Sequence, residues 1–529
     1  MKPLDMGERT TRKRYRQKQY FVGIFAALLT VALSGCGPGQ GEPAKQAVPH
    51  HSFVSHPDFA PPPMDITPGP AWRPDYEEST DLLFLTPIFE TDTPSSGAMI
   101  FDSRGELVWM VPSDPADPTD NYFDLRVQQY RGEDVLTVYR GTRSGGRGNG
   151  EILILDQSYE PVASVTTAGS LGPDKADFHD STITADDTML IASYAPVPAD
   201  LSALGGPEEG MIKDAVIQEI DIATGEVIFE WSATEHIPLT QTLLDFDVER
   251  NAQTDDEEEL GTEGKPFDYF HINSMTEDHE GTILVSARHT SAVYRLDRVT
   301  GEVIWTLGGS ASDFDLDEDA VFAWQHDAQR APDGTLTLLD NHARGTDDQG
   351  ASRALRLALD EQAMTASVVT EYHPLRERSS GSMANAQELA NGNMLIGWGS
   401  QSHYSEHEPG GEVIYDVCHG ESCYPDNVHG RGTSYRAYKA HWQGQPSGPP
   451  RVVVNQTEDE QVAYVSWNGA THVAQWRLIA GADEATAIPQ ARVEAETFET
   501  AFTVPGNAQY VGIQALDAEG RVLATGIPD

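Results

Sequence analysis

Three histidines hold equivalent places far apart in the chain: His179 in FHD, His271 in FHINSM and His326 in WQHD. Each stands just ahead of a short strand-like run. Asn273 follows His271 by two residues, so the two share one face of an extended strand. Arg288 and His289 close the next predicted strand. Imidazole is a nucleophile and proton carrier that can be neutral near pH 7. Arginine grips two oxygens of an oxyanion at once. Histidine, asparagine and arginine gathered at one end of a strand unit make a site able to hold an anion. His289, His342 and Arg344 are further candidates, with Arg344 a second clamp at the mouth of the site.

The elements that must position these residues recur. Residues 268–309 read as strands separated by Gly-marked turns, with period-two alternation and enrichment in Thr, Val, Ile and Tyr. Similar units fall at 177–194, 324–343 and 382–400. A repeat of short strands is the mark of a β-propeller blade. Blade-like units begin near Leu82, Asp124, Phe178, Phe270, Trp324 and Ala384, which predicts a six-bladed β-propeller over 79–445. In that fold the three histidines face one central channel. Trp305, Trp324 and Trp398, near strand ends, read as residues that pack between blades.

The flanks differ in kind. Residues 1–35 carry seven basic side chains, a short apolar run (20–33) and Leu33-Ser34-Gly35-Cys36, the layout of a secretory signal whose LSGC resembles a bacterial lipobox. By that resemblance Cys36 is the lipidated N-terminus of an exported protein, anchored at the outer membrane or cell surface. Residues 36–78, rich in Pro, Gly, His and Ala, read as a tether. Residues 449–529 hold seven short strand-like runs with Trp467 and Trp476 as core candidates, a fibronectin type III or Ig-like sandwich. The whole chain is all-β.

Charge bounds the partners. The net charge is −48, and removing the seven basic and two acidic residues of 1–35 takes it to −53. Such a surface repels nucleic acid and anionic lipid, so an anionic substrate needs a locally positive pocket. The acidic stretch 245–265 reads as a solvated loop rather than a calcium site, because ordered EF-hand spacing is missing. Cys418 and Cys423 read as a small disulfide loop in an exported protein; a metal site with the adjacent His419 has weaker grounds. His403, His407, His419 and His429 fall in a loop-rich stretch and read as surface residues.

The segments FHINSM, SARHTSAVYRLDRVTGEVIWTLGG, WQHDAQ and GWGSQ resemble the bacterial arylsulfate sulfotransferase family. That resemblance implies a propeller that moves a sulfuryl group from an aryl sulfate to a phenol, with no nucleotide donor, cofactor or metal. It implies that His326 becomes sulfated, that Arg288 grips the sulfuryl oxygens, and that Asn273 and His179 are further donors. His271 is then general acid and base in turn. Asp327, where a neutral residue is expected, would raise imidazole basicity if bonded to it and repel a sulfate if pointed inward. Two other readings stand beside this one. One is a non-catalytic surface propeller binding an anionic or carbohydrate ligand. The other, suggested by TGEVIW-like turns, is a quinone-dependent propeller dehydrogenase.

Overall fold

Alternating and fully apolar runs in this sequence do form strands. The computed structural model describes residues 50–74, 76, 79–89, 94–252, 258–342, 350–420, 423, 432–456, 460–506 and 508–528. Among the described residues six sheets of four or five strands, antiparallel except for Asp315–Leu316 beside Thr365–Tyr372, precede residue 441, and sheets of three and four strands follow it. Within each of the six, most neighbouring strands are consecutive in the chain. Thr282–Ala287 shows the pattern: every residue is buried, because it lies between two strands of its own sheet and between the faces of its neighbours. Apolar clusters fill the space between adjacent sheets; Leu190, Ile217 and Trp231 of one meet Ile283, Val285 and Tyr294 of the next.

The first strands of the six sheets decide where the polar residues go. They are Asn121–Tyr130, Ser181–Ile183, Ile272–Asp278, His326–Arg330, Asn385–Glu388 and Thr433–Ala440. In that order they pack against one another, and the last packs against the first, so the contacts close into a ring. Five expected unit starts lie within three residues of these strands. The sixth needs correction. Leu82–Ile88 is the second strand of its sheet, and the first is Thr433–Ala440 from the other end of the chain, with Leu82 opposite Ala440. Pairing a strand from each end of the six-sheet region in this way gives each a partner along its edge.

Three first strands are bulged near their starts. The pairing register shifts between Phe123 and Arg126, between Ile272 and Ser274, and between His326 and Gln329. Asp124, His271, Trp324, Asp327, Met383 and Ala384 all have positive φ here. Bulges and left-handed residues re-aim side chains that a regular strand would alternate.

After residue 450, Arg451–Gln456, Gln461–Ser466 and Thr500–Val504 form one sheet; Ile488–Glu494, Gln475–Gly481, Tyr510–Leu516 and Val522–Gly526 form another. Both contribute to one core that includes Val465, Trp476, Phe502 and Ile513, with Trp467 partly buried against it. The unit docks on two adjacent sheets: Asn468 exchanges two hydrogen bonds with the Met110 backbone (2.9 and 3.0 Å) in the sheet of Leu82–Ile88, and Tyr159, from the sheet of Asn121–Tyr130, donates to Gly469 O at 2.8 Å.

Several expectations change. From residue 50 the stretch read as a tether is pinned down: Asp65–Pro68 adds a strand beside Val413–Cys418, and Ser55 bonds to Ser466 and Glu499. The acidic stretch 245–265 is not simply a solvated loop. It opens with the helix Phe246–Ala252, and Phe246 and Leu260 are buried in a core between sheets. His407 and His419 are buried and His403 half-buried, because 403–407 is a strand rather than a loop. Cys418 and Cys423 form a disulfide. Cys36, Arg344 and His429 lie outside the described residues.

Candidate active site

His179, His271 and His326 precede or open three first strands, which brings them to the same end of the ring. A cavity of about 520 Å³ opens there, lined by His179, His271, Arg288, His289 and Tyr435 among others. The rings form a chain. His179 and His271 meet edge to face at 4.8 Å between centroids, and His271 and His289 lie 4.6 Å apart. Tyr435, on the closing strand, stands 5.4 Å from His179 and 6.4 Å from His326.

Each imidazole is oriented through the same nitrogen. His179 Nδ1 binds the Asp177 carboxylate, and His271 Nδ1 binds Asp268 Oδ2 at 2.9 Å. His289 Nδ1 binds Asp268 O at 2.7 Å, and His326 Nδ1 binds Asn341 Oδ1 at 2.7 Å. All four partners accept, so Nδ1 carries the proton and Nε2 the lone pair. His326 Nε2 accepts the Met383 N–H at 3.2 Å, consistent with that tautomer. Burial pushes His271 and His326 well below 6.5; Arg147 adds to it at His271, and Arg288 at His326. Burial also lowers His179, against the pull of Asp177. The three rings are therefore neutral bases at pH 7.

Arg288 follows the strand Thr282–Ala287 and is nearly buried. Its guanidinium lies 5.4 Å from the Trp324 ring centroid, and Nη2 donates to Gly381 O at 2.8 Å. His326 and Arg288 thus converge on one stretch, 381–383. Asn273 is fully buried, and its Nδ2 donates to Gln325 O at 2.6 Å. It does not line the cavity; its hydrogen bond locks the strand carrying His271 to the residue before His326. His342 is exposed and away from the cavity. Trp305 and Trp398 are buried packing residues as expected, whereas Trp324 is only partly buried and touches the site.

Sequence reasoning missed six contributors: Asp177, Asp268, Asn341, Arg147, Lys213 and Tyr435. A signal existed for two of them, since DFH and DYFH each place an aspartate shortly before the histidine. Asp177 is held in turn by the N–H of Gly148, at 2.8 Å. A side chain at Gly148 would put its Cβ 2.8 Å from Phe178 Cδ1, so only glycine lets this hairpin approach. Arg147, from the same hairpin, pairs with the Asp268 carboxylate and lies 4.4 Å from the Tyr194 ring centroid.

Asp327 turns away from this cavity. Its carboxylate accepts the Ala386 N–H at 3.0 Å and lies 3.6 Å from Arg436. Arg436 is fully buried and also reaches Asp180 at 2.9 Å and Asp124 at 3.1 Å, while Arg126 pairs with Asp180 at 2.7 Å. Burial raises Asp124 and Asp327 against the pull of the arginines. Burial would raise Asp180 too, but Arg436 and Arg126 prevail and hold it down. Asp327 therefore neither contacts the His326 ring nor faces a bound anion there.

Asp268, His271 and His289 offer donor atoms within 4.8 Å of one another, a set that could ligate a metal. The Arg147 guanidinium already occupies the carboxylate of that set, so a cation is present in its place.

A comparison with protein-family models matches residues 126–420 to the arylsulfotransferase (ASST) model, more than half of the chain. The chain belongs to this family. The arylsulfotransferase match spans five of the six first strands and stops before the closing one. No curated protein matches the sequence. Among solved structures, a protein of unknown function from Bacteroides caccae is 11% identical, with a TM-score of 0.39, covering 68% of this chain and 99% of its own. A periplasmic gluconolactonase from Pseudomonas aeruginosa is 12% identical (TM-score 0.36; 68% and 98% covered). A β-propeller domain from Myceliophteria thermophila is 11% identical (TM-score 0.33; 77% and 98%). Likeness this loose carries no chemistry to the chain.

Proposed function

We propose that the protein transfers a sulfuryl group from an aryl sulfate to a phenol through a sulfohistidine at His326. The observation that carries this reading is the state of His326. It is buried and neutral, its Nδ1–H is fixed by Asn341, and its Nε2 lone pair lies by the stretch that anchors Arg288. In the first half-reaction Nε2 attacks sulfur, the N–S bond forms and the S–O(aryl) bond breaks. Arg288 meets the charge on the sulfuryl oxygens. The Met383 N–H, released from Nε2 as its lone pair is used, is free to donate to the same oxygens. Left-handed φ at Met383 (64°) holds it there.

His271 handles the proton. Empty, its ring is neutral because burial and the cations around it disfavour charge. A bound aryl sulfate supplies negative charge that offsets Arg147 and Arg288, so the ring takes up a proton from solvent on Nε2 as the donor binds and gives that proton to the departing phenolate. In the second half-reaction the acceptor's O–H passes its proton to His271 Nε2, its oxygen attacks sulfur, and the N–S bond breaks. His179, fixed by Asp177, is a further contact on the same wall.

The proposal extends to the scaffold and address. The closed ring of first strands supports a six-bladed β-propeller over 79–445, and the seven strands after 450 support a fibronectin type III-like sandwich. The LSGC tetrad and the Cys418–Cys423 disulfide support an exported protein anchored by lipid at Cys36.

The test uses the mature chain without Cys36, 4-nitrophenyl sulfate and phenol. Nitrophenolate release that depends on phenol in the wild type, and is lost in His326→Ala, is expected. No release across a broad range of pH and salt would contradict sulfotransfer and leave a ligand-binding propeller.

A further inference from the structure

We propose that the aromatic substrate carries a second anionic group, a carboxylate on the ring, and that Lys213 together with Arg147 reads it. This rests on the sulfotransfer reading and adds the chemical class of the substrate to it. Lys213 sits on the long strand Gly210–Asp221, with its N–H fixed to Phe267 O at 2.9 Å. Its side chain is half-buried on the cavity wall. Among the described residues its ammonium makes no hydrogen bond or ion pair. Lysine normally carries its charge out to water on a flexible stem. Here it stays inside, where Arg147 repels it, in a chain of net charge −48 that offers carboxylates over most of its surface.

Nor does the sulfuryl site account for it. Arg288 is tied to Trp324 and Gly381, on the His326 side. Arg147 is tied to Asp268 and Tyr194, beside His271, and its Nε is buried without a hydrogen bond. The cavity lining thus carries cations at separate points, Arg288 at one and Arg147 with Lys213 at another, with Lys265 and Glu249 also on it, and a monoanionic aryl sulfate held by Arg288 leaves the Arg147–Lys213 point unused. Burial lowers Lys213 to about 8, with Arg147 adding to the effect and Asp177, which is already bound to His179, opposing it, so its charge is present below that pH and lost above it. An anion beside it would restore the charge.

The experiment compares 4-hydroxybenzoate and 3-hydroxybenzoate with their methyl esters as acceptors of sulfate from 4-nitrophenyl sulfate. For wild type, kcat/KM should favour at least one acid over its ester by on the order of 10-fold to 100-fold, the worth of a hydrogen bond to a charged group. Lys213→Met should bring that ratio near one, and Lys213→Arg should keep most of it. In wild type the ratio should also fall as pH rises through about 8. Wild-type ratios at or below one for both isomers, or ratios unchanged in Lys213→Met, would overturn the inference while transfer to the esters upheld sulfotransfer. If no acceptor were sulfated, the sulfotransfer reading would fail instead. Equilibrium dialysis of the same acids and esters would then decide this one: an acid preference lost in Lys213→Met supports it, and equal binding of acid and ester overturns it.

Discussion

The two sides of the first strands around His326 use similar residues to opposite ends. On one side His179, His271, His289 and Arg288 line an open cavity, with each imidazole fixed at Nδ1 and its lone pair left on Nε2. On the other, Asp124, Asp180 and Asp327 pair with Arg126 and Arg436, and Asp180 and Asp327 also accept backbone N–H groups. His326 and Asp327 are adjacent in sequence, yet His326 is buried against Met383 of the cavity wall while Asp327 joins the arginine network. The difference is pairing. Opposite charges paired in a buried network hold strands together, whereas neutral bases beside cations leave chemistry to be completed by a substrate. The two side chains diverge where the pairing register shifts between His326 and Gln329.

The comparison breaks most severely at Arg436. Arg436→Met leaves Asp180 and Asp327 short of their main partner and Asp124 short of one of two, and should cost about 3–5 kcal/mol of stability, as for other broken buried pairs. Denaturant unfolding measures it, and an unchanged midpoint would mean the network is not structural. Arg288→Ala should behave in the opposite way, retaining the fold while lowering kcat about 100-fold to 1,000-fold, the range for loss of an oxyanion donor. A large loss of stability with little loss of turnover would put Arg288 in the wrong set.

His271→Ala should lower turnover about 100-fold, within the range of general acid–base help. Its pH dependence sharpens the assignment. Burial and nearby cations depress His271, so as pH falls the free ring keeps its lone pair until well below 6.5. The acceptor's kcat/KM should therefore stay flat through pH 6.5, and an acid limb at or above that pH in wild type would contradict the assignment. The same depression at His179, His271 and His326 makes the unfolded chain take up protons first, so stability should fall as pH drops below about 6.5. The smallest effect is expected at Asp177→Asn. It loosens the orientation of His179 without touching substrate and should cost about 10-fold, like other supporting hydrogen bonds to histidine. It should also move the pH profile, which a purely structural residue would not.

Much of this was legible in the chain. A polar-headed strand followed by an apolar one located His179, His271 and His326, because strand period and turn residues are local signals. Arg288 and Asn273 came with them, although Asn273 proved to brace the site from behind. What stayed hidden depends on contacts between sheets. Arg147 lies in SGGRGNG and Lys213 in an ordinary strand pair, and nothing local says that two hairpins lean over the same cavity. Arg436 and Tyr435 come from the strand that closes the ring, more than a hundred residues after the histidine they approach. The paired FHD and QHD were a clue to Asp180 and Asp327, but which way each aspartate points follows from bulges and left-handed backbone that composition does not reveal. Residues 245–265 misled because charge dominates the count while Phe246 and Leu260 do the packing.

The most direct test of the central claim is to expose the wild-type mature chain to 4-nitrophenyl sulfate without acceptor, quench, and map the intact protein and its peptides by mass. The account predicts one added SO₃ group on the peptide holding His326, discharged when phenol is supplied. Phenol-dependent turnover with no adduct, or an adduct on another residue, would contradict it.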